Sequence, residues 1–180
     1  MAPTTQAILD PRGGLGGEAR VTLAPRTRPL AGASLGLLNN AKPNAAAILE
    51  HLGTLLTERF GVGQVTMVSK RSFAVPAEDA LLGELAERCD YVIAGVGDCG
   101  SCSAGTVADG VLLERRGVPT AAICTDTFLL SGAAMARLQG FPDYPFVAIP
   151  HPMASLSAVE VVAVAEGALS DVLRIFEVAP

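Results

Sequence analysis

Two cysteines three positions apart carry the clearest chemical signal in this chain, in the segment Val96-Gly97-Asp98-Cys99-Gly100-Ser101-Cys102. Thiols at this spacing can form, break and pass on a disulfide. A thiol attacks only as the thiolate, and a free cysteine pKa of about 8.5 leaves little of it ionised at neutral pH. A helix N-terminus corrects this, because its unpaired N–H groups and its dipole favour negative charge. The pair lies between an apolar run and a predicted helix, with Cys99 at or just before the helix start and Cys102 in its first turn. Cys99 is therefore expected to be the more exposed and more acidic sulfur, the nucleophile. Cys102 is expected to resolve a mixed disulfide formed on it. Asp98 opposes this, since a neighbouring carboxylate raises a thiol pKa unless it turns away or accepts a proton.

The same residues support other chemistry. Cys99, Cys102, Cys124 and His151 all fall near the carboxyl ends of predicted strands, and three cysteines with one histidine are an accepted zinc set. Against zinc, Cys124 lies within the apolar run Ala121-Ala122-Ile123, and no second close cysteine pair exists. The thiol reading expects no cofactor; zinc binding is its alternative. A non-catalytic interaction subunit of a heteromeric complex is the third reading. His151, between Pro150 and Pro152, has the right pKa range to serve as base or proton donor. Asp98 and Asp126 join it as candidates for proton transfer and orientation, although Asp after a strand is more often a helix cap. Asn39, Asn40, Lys70, Ser101, Ser103 and Thr125 are the candidates for holding a small anionic or carbonyl substrate. Gly95, Gly97 and Gly100 match a dinucleotide glycine spacing, but they follow the third predicted strand rather than the first, with Asp98 where a pyrophosphate would approach.

These residues need elements to hold them. Apolar runs at Ala33–Leu38, Gln64–Val68, Tyr91–Val96, Pro119–Cys124 and Tyr144–Ile149 read as strands. Between them, helical spacing runs from Pro43 to Phe60 (stopped by Gly61), Glu78 to Arg88, Ser101 to Arg116 and Phe128 to Leu138, and a last helix covers about Leu156 to Phe176. Strands alternating with helices predict an α/β domain with a parallel sheet and helices on both faces. The expected form is flavodoxin-like, with strand order 2-1-3-4-5. Ligands in such sheets bind outside the carboxyl ends of the strands, where every candidate above is placed.

Residues 1–30, with four prolines, paired glycines and four arginines, form no sustained period. They read as an extended arm with a short strand around Ala19–Leu23, or as a disordered segment, ahead of a single domain over 31–180. At 180 residues the chain suits one core. Half of its residues are apolar and 17% are charged, which excludes disorder over most of its length. A net charge of −5 and 4% aromatic residues argue against a nucleic-acid partner. Gly, Pro or charge interrupts every apolar run before the roughly 18 residues of a membrane span, and Met1–Thr5 lacks a basic leader region. A cytoplasmic protein with reduced thiols is the expectation, acting on a small molecule with a thiol reductant. The apolar final helix and the arm suggest a homo-oligomer or paired subunit.

Beyond these readings, Gly97 to Cys102, with Asp109, Leu113 to Thr120 and Ile123 to Phe128, resembles the UGSC family, named for a selenocysteine-Gly-Ser-Cys motif and including cysteine forms. The resemblance is strongest over about 90–130, takes in the Pro150-His151-Pro152 turn, and leaves out the first 30 residues. It places Cys99 at the selenocysteine position. The family is similar in general plan to the selenoprotein subunits of glycine and proline reductases, which cleave carbon–heteroatom bonds reductively. The implied activity is thiol-based redox or nucleophilic chemistry, that of an oxidoreductase, lyase or transferase. A thiol in place of a selenol implies a weaker nucleophile and points to thiol transfer, sulfur insertion or C–S chemistry.

Overall fold

The computed structural model describes residues 22–177. Its elements run β1 (Ser34–Asn39), α1 (Ala45–Phe60), β2 (Gln64–Ser69), α2 (Asp79–Arg88), β3 (Tyr91–Gly97), α3 (Gly100–Arg115), β4 (Thr120–Thr125), a 3-10 turn (Asp126–Phe128), α4 (Leu129–Leu138), β5 (Val147–Ile149) and α5 (Ala158–Ile175). All strands pair in parallel, in the order β2-β1-β3-β4-β5. The expected architecture and strand order are both present.

Side chains alternate between the faces of a strand, and each face here has its own helices. Leu35 and Leu37, Tyr91 and Ile93, Ala121 and Ile123, and Val147 and Ile149 pack against Ile48, Leu49 and Leu52 of α1 and Val161, Ala165 and Val172 of α5. The alternate residues Leu38, Val92 and Ala94 meet Leu82 and Leu85 of α2 and Leu113 of α3. Ala122 and Cys124 meet Val107 and Val111 of α3 and Ala136 of α4. This two-sided burial explains why the central strands read as nearly continuous apolar runs.

Helix ends follow local chemistry. Gly61, at φ 70°, closes α1 by donating its N–H to Thr57 O at 3.1 Å, a conformation that costs glycine little. Ser157 and Glu160 cap α5 reciprocally. Two boundaries differ from the sequence reading. Pro43 lies ahead of α1 rather than in it, because Asn44 is the N-cap residue and takes a left-handed conformation. β5 begins at Val147 rather than Tyr144, because the Tyr144 hydroxyl donates to Thr120 O at 2.8 Å and its ring packs on Phe141, drawing that stretch off the sheet.

Most of the expected arm, residues 1–21, lies outside the described residues, and the expected strand around Ala19–Leu23 falls mostly there. Thr22 and Leu23 are not in a strand. The stretch that follows is tied to the domain. Arg26 pairs with Glu114 through both guanidinium nitrogens, at 2.8 and 2.7 Å, and both side chains are buried. The same carboxylate accepts the N–H groups of Ala24 at 2.6 Å and Thr120 at 2.8 Å. A buried carboxylate is tolerated only when so fully paired. Among the described residues no helix is long and apolar enough to cross a membrane.

Candidate functional site

The order β2-β1-β3-β4-β5 reverses direction between β1 and β3, and open α/β sheets bind ligands in the crevice outside the carboxyl ends of the strands at such a switch point. The cysteine loop leaves β3 there. Gly97 ends the strand, Asp98 follows, and Cys99 is the N-cap of α3 with extended backbone. Cys99 and Cys102 are joined as a disulfide, with their Cα atoms 5.2 Å apart. Cys99 Sγ also accepts the Cys102 N–H at 3.3 Å. The two sulfurs are unequal: Cys102 is fully buried, whereas Cys99 is half-buried. Ser101 is exposed, with its hydroxyl 3.7 Å from Cys99 Sγ. α3 carries no acidic residue in its first turn, so its N-terminal field reaches Cys99 unopposed from within the helix.

The first turn of α3 is seated on Gly97. A Cβ there would stand 2.6 Å from Ser103 Cα, 2.7 Å from Ser103 Oγ and 3.0 Å from Cys124 Sγ. Only glycine lets the strand end and the helix approach this closely. Ser103 is therefore buried beneath the loop, and its hydroxyl has no hydrogen-bond partner among the described residues.

Asp98 turns to the loop after β5. Its Oδ1 lies 2.8 Å from His151 Nδ1 and accepts the Met153 N–H at 3.4 Å. A carboxylate only accepts, so Nδ1 is the donor in this bond and Nε2 is the nitrogen that Asp98 does not engage. Thr125, fully buried at the end of β4, places its hydroxyl 3.4 Å from the same Nδ1, and the Phe128 ring meets the imidazole edge-on at 5.3 Å. With its side chain 32% exposed, His151 is held on one edge and open on the other. The loops after β3, β4 and β5 thus bring Asp98, Thr125 and His151 together.

Other sequence candidates go elsewhere. Lys70 is buried and pairs with buried Asp109 at 2.5 Å while donating to Val75 O at 2.8 Å. Burial pushes the Asp109 carboxyl up from its ordinary value, against the Lys70 ammonium and the Ala77 N–H, which hold it down. Lys70 therefore clamps the β2–α2 loop onto α3. Asn39 bonds Ser69 Oγ and the Ala41 N–H; Asn40 bonds Val96 O at 2.7 Å and the Lys42 N–H. Both asparagines build the β1–α1 loop. Asp126 is exposed in the 3-10 turn, accepts among the described residues only from Thr127 Oγ1, and caps neither that turn nor α4.

Cys124 faces the α3 and α4 side of the sheet, fully buried, with its thiol directed at Ser103 O at 3.8 Å. Burial pushes it up to about 12. Cys99 and Cys102 are bonded to each other, and among the described residues no group of three or more His, Cys, Asp or Glu side chains is placed to hold a metal ion. Two features were missed in the sequence. Glu114, buried with Arg26, gave its only signal as a charge within an otherwise apolar helix face. Lys42, whose ammonium lies over the Phe73 ring 4.6 Å from its centroid, gave none, because its partner comes from another loop.

The model of the UGSC family matches residues 7–178, so the match takes in most of the first 30 residues that the motif resemblance left out. No curated protein and no solved structure matches the chain.

Proposed function

The chain belongs to the UGSC family, and we propose that it is an enzyme of dithiol–disulfide chemistry on a small molecule, with Cys99 as nucleophile. The observation that carries the reading is the asymmetry of the pair: a half-buried sulfur at a helix N-cap, bonded to a fully buried one in the same turn.

In the reduced protein, the Cys99 thiolate attacks a sulfur of a substrate that bears a good leaving group, forming Cys99–S–S–R and releasing the second substrate fragment as a thiolate. Cys102 loses its proton and attacks Cys99 Sγ, closing the Cys99–Cys102 disulfide and releasing R–S⁻. The substrate gains two electrons, which the pair loses. An external thiol then reduces the disulfide and returns the enzyme. The Cys102 N–H, which already points at Cys99 Sγ, stabilises the thiolate, and small Gly100 and Ser101 leave the approach to it open. His151 moves the protons. Asp98 fixes its tautomer and orientation and stabilises the imidazolium, leaving Nε2 to take a proton from an attacking thiol or give one to a leaving group.

Single-cysteine reactivity tests this. Cys102→Ser, reduced and exposed to a small aromatic disulfide, is expected to hold a stable mixed disulfide at Cys99, seen by mass spectrometry. Cys99→Ser is expected to form little. If Cys99 reacts no faster than a model thiol at neutral pH, or if Cys102 is the sulfur that is trapped, the assignment is wrong.

A further inference from the structure

The crevice at the switch point has two walls, and only the β3 wall is used by the thiol chemistry. The other is the β1–α1 loop, and its position is fixed. Asn40 donates its backbone N–H to Gly95 O at 2.8 Å and its side-chain amide to Val96 O at 2.7 Å, and its own Oδ1 accepts the Lys42 N–H at 3.3 Å. Lys42 therefore leaves the sheet beside the last peptides of the strand that delivers Cys99. Its ammonium is held over Phe73, in the β2–α2 loop. That loop lies directly on α3: a Cβ at Gly105 would sit 3.3 Å from the Val75 backbone and 3.5 Å from Phe73 O, one turn past Cys102. The Lys70–Asp109 pair and the Ala77 N–H bond to Asp109 lock the loop there. The Lys42 charge is thus bracketed between the exit of β3 and the first turns of α3.

The charges around it leave it unspent. Lys70 is neutralised by Asp109, Arg71 pairs with Glu78 at 3.7 Å, Asp98 is turned to His151, and Asp126 is exposed beyond β4. Lys42 has no carboxylate partner among the described residues, although it is half-buried. A half-buried ammonium kept over an aromatic face and given no counter-ion is placed for an anion that arrives from solution. Phe73 and Val75, both large, apolar and exposed, supply a wall for the rest of such a molecule.

We infer that Lys42 is the anion-binding residue of the thiol site and that the substrate carries a carboxylate or similar acidic group beside the sulfur Cys99 attacks. This rests on the reading of Cys99 as nucleophile and names the class of molecule that site takes. Phe73 is a positioning residue that holds the ammonium over the crevice.

The test compares an anionic and a neutral alkylating probe. In the Cys102→Ser background, the Cys99 thiolate displaces iodide from iodoacetate or from iodoacetamide, and the ratio of the two rates at Cys99, mapped by mass spectrometry, reads the local charge independently of thiolate fraction. Lys42→Gln is expected to lower that ratio on the order of threefold at low salt, as removal of a unit charge across a solvent-lined crevice should. Raised salt is expected to erase the difference. Lys42→Arg is expected to restore most of the ratio, and Phe73→Leu to lower it partway. Arg59→Gln, which removes the same charge at the far end of α1, is expected to leave it unchanged. If both probes react and the ratio ignores Lys42, or if Arg59→Gln shifts it equally, the inference about Lys42 is overturned and the thiol reading stands. If neither probe reacts at Cys99, the thiol reading itself is overturned, and this inference with it.

Discussion

Replacing Gly97 by alanine tests how the cysteine loop is held. The new Cβ would lie 2.6 Å from Ser103 Cα, a backbone atom that cannot rotate aside, and 3.0 Å from Cys124 Sγ on a buried thiol. The first turn of α3 must withdraw by about 0.8 Å to restore an ordinary contact of 3.4 Å. Overpacking of this kind costs about 1–3 kcal/mol, and the upper half of that range applies because backbone is struck. For a domain of this size the midpoint of thermal unfolding falls roughly 2–4 °C per kcal/mol, so a loss of about 4–12 °C is expected by calorimetry. Withdrawal also disturbs the 3.3 Å contact between the Cys102 N–H and Cys99 Sγ, so alkylation of reduced Cys99 at neutral pH is expected to slow several-fold. Gly167→Ala, in α5 with open space where its Cβ would go, is the control: no loss of stability is expected, and Cys99 is expected to react as in wild type. If Gly97→Ala melts within 1 °C of wild type, as an order-of-magnitude criterion, and Cys99 reacts unchanged, the close seating of α3 on β3 does not govern the site.

Gly83, in α2, has open space where a Cβ would go, so Gly83→Ala is expected to stabilise the protein by about 0.5–1 kcal/mol in denaturant unfolding. Asp109→Asn leaves Lys70 buried without its counter-charge and is expected to cost about 3–5 kcal/mol, while Lys70→Met with Asp109→Leu recovers much of the loss; equal damage from both would show that packing rather than charge dominates. In the reduced, folded protein, Cys124, raised to about 12, is expected to resist iodoacetamide up to pH ~10 while Cys99 is modified, as peptide mapping would show. Because its folded pKa lies above the unfolded value of 9.0, its contribution to stability is complete below pH 9 and is lost as pH rises toward 12; a Cys124→Ala variant is expected to lose that part of the alkaline dependence.

Local periodicity placed most of the helices and strands within a residue or two, because apolar spacing and end signals such as Gly61 act over a few residues. It failed at Tyr144, whose hydroxyl is captured by Thr120, and at Pro43, where Asn44 starts the helix later; in each case a distant or backbone-level contact overrode the local pattern. The candidate site divides in the same way. Cys99 and Cys102 were legible because their spacing, a strand before them and a helix after them are all local. The loop contacts of Lys70, Asn39 and Asn40 were not legible, because a polar residue at a strand end looks the same in sequence whichever loop it bonds.

The sequence by itself determined the parallel α/β plan and the place of the two thiols at a strand-to-helix turn, since both follow from side-chain period and short-range capping. Only the tertiary structure decided what surrounds those thiols. It set Asp98 against His151, buried Cys124 and Ser103 beneath the loop, paired Lys70 with Asp109, and placed the Lys42 ammonium over the Phe73 ring. Each of these assignments joins residues from different loops, and which loops meet is set by the order in which strands pair, not by the residues along any one of them.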